Sequence, residues 1–180
     1  MIKHADLRRD AAACAAIYAP YVATGATSFE ESPPRADEFA KRIERVSATH
    51  PWVVSERDGE VVGFAYATTH RTRPAYRWTA ETSVYVHPAH QGRGVGRELY
   101  EVLLELLRRQ RLQVACAGIT LPNDASVALH EALGFERIGV YHRIGYKAGA
   151  WRDVGWWQLL LGPLGDGSPP EPLGPQTLSD

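Results

Sequence analysis

The stretch Gln91-Gly92-Arg93-Gly94-Val95-Gly96 constrains this chain more than any other. It follows an apolar run, Val84-Tyr85-Val86, and precedes a helical pattern from Leu99 to Leu107. A strand, a glycine loop and a helix in that order build an anion site. The glycines let backbone N–H groups approach a phosphate, and the helix start adds its partial positive charge. The spacing excludes two other phosphate cradles. A dinucleotide fingerprint needs Gly or Ala three places after its second glycine, and Arg97 stands there. A P-loop needs Gly-Lys-Ser/Thr, and no such triplet occurs. What remains is Gln-x-x-Gly-x-Gly.

The bulk of the chain is that of one globular unit. A length of 180 residues suits a single domain with one sizeable core, and a net charge of −1 gives no field toward nucleic acid or membrane. Cys14 and Cys116 lie far apart and form no C-x-x-C, so no disulfide framework or metal site is expected and a reducing cytoplasm fits. The alanine-rich run 11–23 after Lys3, Arg8 and Arg9 loosely mimics a signal peptide. Asp6 and Asp10 among the basic residues, Pro20 within the run and its lack of leucine argue against one. No apolar stretch approaches the ~20 residues that span a bilayer.

Along the chain, residues 2–5 read as a strand, and 7–23 as a helix capped by Asp6 and ended or kinked by Pro20. Pro33-Pro34 opens a helix over 35–48 with Phe39, Ile43 and Val46 on one face. Strands at 52–54 and 61–67 flank the hairpin turn Asp58-Gly59. A basic, aromatic loop at 70–77 leads to a strand at 78–86, the glycine loop and a helix at 94–109. A strand at 114–119 follows. Asn123 or Asp124 then caps a helix to Leu133, with Gly134 as its C-cap. Residues 135–146 and 154–161 form a last antiparallel pair turning near Gly149. These elements predict an α/β fold, a mixed sheet with helices on both faces, over 1–161. The last nineteen residues, 162–180, hold four glycines and five prolines and are expected to be disordered.

The Gln-x-x-Gly-x-Gly loop resembles the pyrophosphate loop of the GCN5-related N-acetyltransferases (GNAT). The segments around it resemble the phosphinothricin and methionine sulfoximine subgroup of that superfamily. They are Trp78-Thr79-Ala80-Glu81-Thr82-Ser83, Leu121-Pro122-Asn123-Asp124, Leu129-His130-Glu131-Ala132-Leu133-Gly134-Phe135, and Gly145-Tyr146-Lys147 with Trp151, Asp153 and Trp157. The resemblance implies a central, mostly antiparallel sheet splayed at a coenzyme A site, with acetyl-CoA as co-substrate and no metal. It also implies a homodimer with substrate pockets near the interface, and acetylation of the amino group of glutamate-like toxins. The 70–77 loop, Arg71-Thr72-Arg73-Pro74-Ala75-Tyr76, matches the subgroup poorly, and the identity of the acceptor rests on it.

Acetyl transfer from a thioester needs a neutral amine, a polarised carbonyl, a proton for the departing sulfur, and alignment. Glu81 is the candidate for taking the ammonium proton, and the resemblance gives it that role. The alternative is a strand carboxylate paired with Arg71 or Arg73. His130 lies seven residues after Asn123 on about the same helical face. It can protonate sulfur or act as base, the other reading being a helix histidine packed under the last hairpin. Tyr100 can aim a hydroxyl at the thioester or fill the core. Backbone groups of Val84, Tyr85 and Val86 are expected to receive the pantetheine arm as an added strand. Gly92, Arg93, Gly94, Val95, Gly96 and Arg97 are expected at the pyrophosphate, with Asn123 on the pantetheine or merely capping its helix. For the acceptor, Arg71, Thr72, Arg73, Thr82 and Ser83 are polar candidates beside Glu81, and Phe29, Tyr76 and Trp78 are candidate walls. Trp151, Trp156 and Trp157 suit either a core or an interface.

Two other functions fit less of this. An N-acetyltransferase for a protein N-terminus, a polyamine or an aminoglycoside keeps the fold, although an aminoglycoside site is expected to be acidic and the 70–77 loop is basic. A non-catalytic acetyl-CoA sensor would need the glycine loop without Glu81 and His130.

Overall fold

The computed structural model describes residues 1–175; the end of the expected disordered tail, 176–180, lies outside the described residues. Seven strands form one sheet in the order β1-β2-β3-β4-β5-β7-β6. They are β1 (Ile2–His4), β2 (Trp52–Arg57), β3 (Glu60–Thr69), β4 (Thr79–Val86), β5 (Val114–Leu121), β6 (Glu136–Lys147) and β7 (Ala150–Leu160). Among the described residues only β4 and β5 run parallel. The helices are α1 (Ala11–Ala23), α2 (Ala36–Ser47), α3 (Val95–Arg109) and α4 (Asp124–Ala132).

Alternation along β3 explains how one sheet serves two cores. Ala65 and Ala67 face α3 and pack with Leu99, Leu103 and Leu107. Phe64 faces α1 and α2 and packs with Ile17, Phe39 and Ile43. Small residues on one face and large aromatics on the other match the two helix layers. Each fully buried Leu, Ile or Phe contributes about 1.5–3 kcal/mol of transfer free energy. The Asp58-Gly59 turn has both residues at positive φ (51° and 84°), as a two-residue hairpin of this twist requires.

Three expectations change. The first helix begins at Ala11, not residue 7. Asp6 Oδ1 instead accepts the N–H groups of Arg8 and Arg9 at 2.8 and 3.1 Å, which closes a separate turn before the buried Asp10. Of the two roles read for Pro20, ending the helix falls away, since α1 runs through it to Ala23, the bound expected from sequence. The described part of the tail, residues 162–175, has no helix or strand, yet it is tied down. Trp78 Nε1 donates to the carbonyl of Pro170 at 2.9 Å, Arg77 clasps Glu171, and Leu173 N–H reaches the carbonyl of Gln110. Proline and glycine content forecasts the lack of regular structure but not these contacts.

The feature that makes the site is a parting of strands. β4 and β5 pair at Thr79↔Val114, Ala80↔Ala115 and Glu81↔Cys116, and no further. Beyond that point β4 stays with β3 as far as Val86↔Gly63, while β5 stays with β7 as far as Leu121↔Asp153. A wedge therefore opens in mid-sheet, toward the glycine loop and the start of α4.

Candidate active site

The wedge is lined by Thr82, Ser83, Val84 and Tyr85 of β4, by residues 117–120 of β5, and by Tyr100, Asn123, Ser126 and His130. The His87 N–H donates to the Val62 carbonyl at 2.9 Å, so the odd positions of β4 exchange ladder bonds with β3. Thr82, Val84 and Val86 then turn their backbone groups into the wedge. This corrects the reading for Tyr85, whose backbone pairs with β3 at Phe64 and whose ring packs on Tyr18 and Tyr21. Val86 is already engaged. The Tyr21 hydroxyl donates to its carbonyl at 2.5 Å and accepts from its N–H at 3.3 Å. The side-chain amide of Gln91 donates to the same hydroxyl at 2.8 Å. Sequence reading missed Tyr21, because only the packing of α1 on β4 brings it there.

At the wide end of the wedge, Gly92 and Gly94 hold φ of 69° and 82°, a region that costs an L side chain about 1–2 kcal/mol. Gly94 is the N-cap of α3, and Glu98 N–H bonds back to its carbonyl at 3.0 Å. The N–H groups of Val95, Gly96 and Arg97 precede that bond and form the donor end of the helix. Gly96 also lacks a Cβ where Leu129 Cδ2 would lie 3.3 Å away, so α3 and α4 can approach. Arg93 is exposed, whereas the Arg97 guanidinium is held by Glu101 at 2.9 Å, one turn along.

Glu81 sits at the apex, where the strands part. Its partner is neither Arg71 nor Arg73: Oε1 lies 2.8 Å from His70 Nδ1. The Glu81 side chain is 36% exposed and that of His70 16%. The His70 ring meets Tyr76 and Trp156 edge-on, with centroids 5.8 and 6.1 Å apart. Thr68 faces Glu81 across the ladder, so His70 falls on the same face just past the end of β3. That register depends on where the strands re-pair after the 70–78 loop, which local sequence does not specify.

The other face of β4 carries a buried neutral network. The Tyr100 hydroxyl lies 2.9 Å from His130 Nε2 and 3.3 Å from Thr82 Oγ1. His130 Nδ1 lies 2.7 Å from the carbonyl of Ser126 and must donate to it, which leaves Nε2 as the acceptor of the Tyr100 proton. Burial lowers the His130 pKa from its ordinary value, partly offset by the Ser126 carbonyl, and raises that of Tyr100. Both are neutral at pH 7. Thr82 Oγ1 also reaches the Cys116 carbonyl at 3.2 Å. Asn123 caps α4 by accepting the Ser126 N–H at 3.2 Å while lining the wedge.

On the Glu81 side, His70, Arg71, Tyr76, Cys116, Tyr141 and Trp156 line a separate cavity beside the apex. Thr72 and Arg73 are exposed outside it. Trp78 does not wall it, because its indole is turned to Pro170 and covered by Arg77, 3.7 Å from the ring centroid. Of the three late tryptophans, Trp157 is core, Trp156 lies over Gly118 beside the cavity, and Trp151 is exposed against Tyr146. Phe29 rests on Gly145, where a Cβ would come within 2.3 Å of its ring. The loop bearing Phe29 is anchored from β6: Lys147 Nζ donates to the carbonyls of Val22, Ser28 and Glu30 at 2.6–2.7 Å.

A splayed parallel pair facing a glycine loop at a helix start defines an acyltransferase fold. Residues 4–156 match the family model described as acetyltransferase (GNAT) domain, and the chain belongs to that family. It is similar to the phosphinothricin N-acetyltransferase of Streptomyces viridochromogenes, with 41% identity over 168 residues, 93% of this chain and 90% of that one. It is 44% identical over 112 residues to the L-methionine sulfoximine/L-methionine sulfone acetyltransferase of Salmonella typhimurium, covering 62% of this chain and 66% of that one. Among solved structures it resembles the phosphinothricin acetyltransferase of Sinorhizobium meliloti in complex with acetyl-CoA, with a TM-score of 0.90 and 34% identity over 95% of this chain and 93% of that one. The chain is an N-acetyltransferase.

Proposed function

We propose that this enzyme moves the acetyl group of acetyl-CoA to the amino group of a small amino acid or analogue of the phosphinothricin or methionine sulfoximine type. The observation that carries this reading is the wedge beyond Glu81↔Cys116, where a carboxylate, free strand backbone and a helix start converge. Val84 offers its carbonyl to a pantetheine arm and its N–H to the thioester carbonyl. Gly92 to Arg97, with their positive-φ glycines and helix-start amides, suit a pyrophosphate. The similarity to phosphinothricin and methionine sulfoximine acetyltransferases supports the acceptor class.

The overall reaction releases two protons from an ammonium acceptor, one to solvent and one to the thiol. Glu81 takes the first and leaves a neutral amine whose lone pair attacks the thioester carbonyl. The Val84 N–H faces the wedge and stabilises the oxyanion that forms. As the C–S bond breaks, the Tyr100 hydroxyl gives its proton to sulfur, and the second amine proton, leaving the nitrogen of the same intermediate, restores the hydroxyl. His130, neutral and fixed by Ser126, holds the Tyr100 hydroxyl in place. Arg71, beside His70 in the cavity, pairs with the acceptor's acidic group.

The exposed apolar strip Ile138, Ile144, Tyr146 and Trp151 along β6 and β7 supports a homodimer. No helix among the described residues is long and apolar enough to cross a membrane, and the reading places the enzyme in the cytoplasm. A thiol-release assay tests the function. Acetyl-CoA is offered with phosphinothricin, methionine sulfoximine, common amino acids, spermidine and kanamycin. Turnover with the first two is expected; turnover only with spermidine or kanamycin overturns the acceptor class.

A further inference from the structure

We infer that His70 is a positioning residue for Glu81, its Nδ1–H fixing one carboxylate oxygen so that the other is presented, ionised, to the acceptor's ammonium group. The inference rests on the proposed role of Glu81 as base. It starts from the 2.8 Å contact between Nδ1 and Oε1. An ionised carboxylate only accepts, so Nδ1 carries the hydrogen. The contact spends one of the two oxygens and leaves Oε2 for the substrate.

The surroundings fix the imidazole rather than the carboxylate. Tyr76 and Trp156 meet the ring edge-on from opposite elements, the 70–78 loop and β7. Glu81 is the more exposed partner and has a flexible side chain of its own. A free glutamate there would sample several rotamers, and orientation is a large part of the rate of a proton transfer coupled to attack. The titratable and charged groups facing His70 are Glu81 from β4, Arg71 and Tyr76 from the loop, Cys116 from β5 and Tyr141 from β6. Burial and the Glu81 charge raise the Cys116 thiol to about 11, so it stays neutral beside the pair. Among the described residues Arg71 is the one fixed positive charge that lines this cavity, and the ion-pair partner of the carboxylate is His70.

A packing role and a hydrogen-bonding role separate by substitution. His70→Phe keeps a ring between Tyr76 and Trp156 but deletes the donor. His70→Asn loses the ring but can place an amide N–H where Nδ1 stands, whereas His70→Gln places it nearer the Nε2 position. With phosphinothricin as acceptor, H70F and H70Q should lower kcat roughly tenfold, the scale of one hydrogen bond to a charged group. KM for acetyl-CoA should not change. Losing a donor to the ionised form should also move the acid limb of the kcat–pH profile to higher pH. H70N should recover kcat to within about threefold of the parent, with the parent limb. In a Glu81→Gln background, H70F should add nothing further.

Wild-type kcat and pH limb in both H70F and H70Q overturn the inference. So does an H70N variant as slow as H70F, or a full additive loss in the E81Q background. The two readings fail separately. If E81Q itself turns over like the parent, the base assignment falls. If E81Q is slow and the His70 variants are not, only the positioning role falls. A melting curve on each variant identifies any that fail to fold, and H70Q then stands in for H70F.

Discussion

Glu81 and Thr82 are neighbours in sequence and look out on opposite faces of β4, and the two faces are built differently. The Glu81 side is half open, with a charged carboxylate, an imidazole and a cavity that reaches the surface. The Thr82 side is closed, with Tyr100 and His130 buried and neutral in one hydrogen-bonded chain. A base that collects protons turnover after turnover has to exchange them with water. A donor to a leaving thiolate works best where water does not compete and its proton is held at one place. The alternation of a single strand supplies both environments within two residues, at the point where β5 parts from β4.

The comparison can be broken most directly at Glu81. Glu81→Gln should cut kcat at pH 7 by about 100-fold or more, with the deficit shrinking as pH rises and the acceptor loses its proton unaided. A pH–rate series checks this; a deficit that is constant with pH removes the base role. Tyr100→Phe comes next, with kcat down about tenfold to 100-fold. It should also cost about 1–3 kcal/mol of stability, because His130 Nε2 is left buried without a donor. Urea titration and steady-state kinetics read the two effects together. Gly94→Ala tests the far end of the wedge. Forcing a Cβ into φ near 82° should raise KM for acetyl-CoA several-fold while kcat holds, since the N-cap and not the reacting atoms is disturbed. The smallest effect concerns pH and stability. Burial lowers the His130 pKa below its ordinary 6.5, so the folded chain binds fewer protons than the unfolded one. Stability should therefore fall as pH drops through 6.5 toward the lowered value, and be fully present above it. His50, shifted the same way by burial, adds to the slope. Melting temperatures of the parent and His130→Leu across pH 5–8 should show a shallower slope in the variant.

Much of this was legible from local signals. The Asp58-Gly59 turn, the glycine loop and the Asn123 cap each depend on a few adjacent residues, and each stands where the residue types demand. The pairs at the proposed site do not. His70 meets Glu81 through a ladder register set across a loop, Tyr21 meets Val86 across 65 residues, and Tyr100 meets His130 across 30. The tail's contacts with Arg77 and Trp78 span more than 90 residues. Sequence identified Glu81, Tyr100 and His130 as reactive types but not their partners, because partnership is a property of the packed sheet. Trp78 was the opposite case: its type suited a pocket wall, and its neighbours drew it to the tail.

Lys147 gives the molecule an order of assembly as well as a shape. A ribosome that has released the chain through Ala132 has delivered β4, the glycine loop, α3, β5 and α4, and so every residue that lines the wedge. The three carbonyls at Val22, Ser28 and Glu30 were made among the first of all, yet they wait for an ammonium group more than 110 residues behind them. The loop carrying Phe29 is therefore fixed only after every residue that lines the wedge has emerged. A nascent chain would possess its glycine loop and parted strands before Lys147 fixed the loop that carries Phe29.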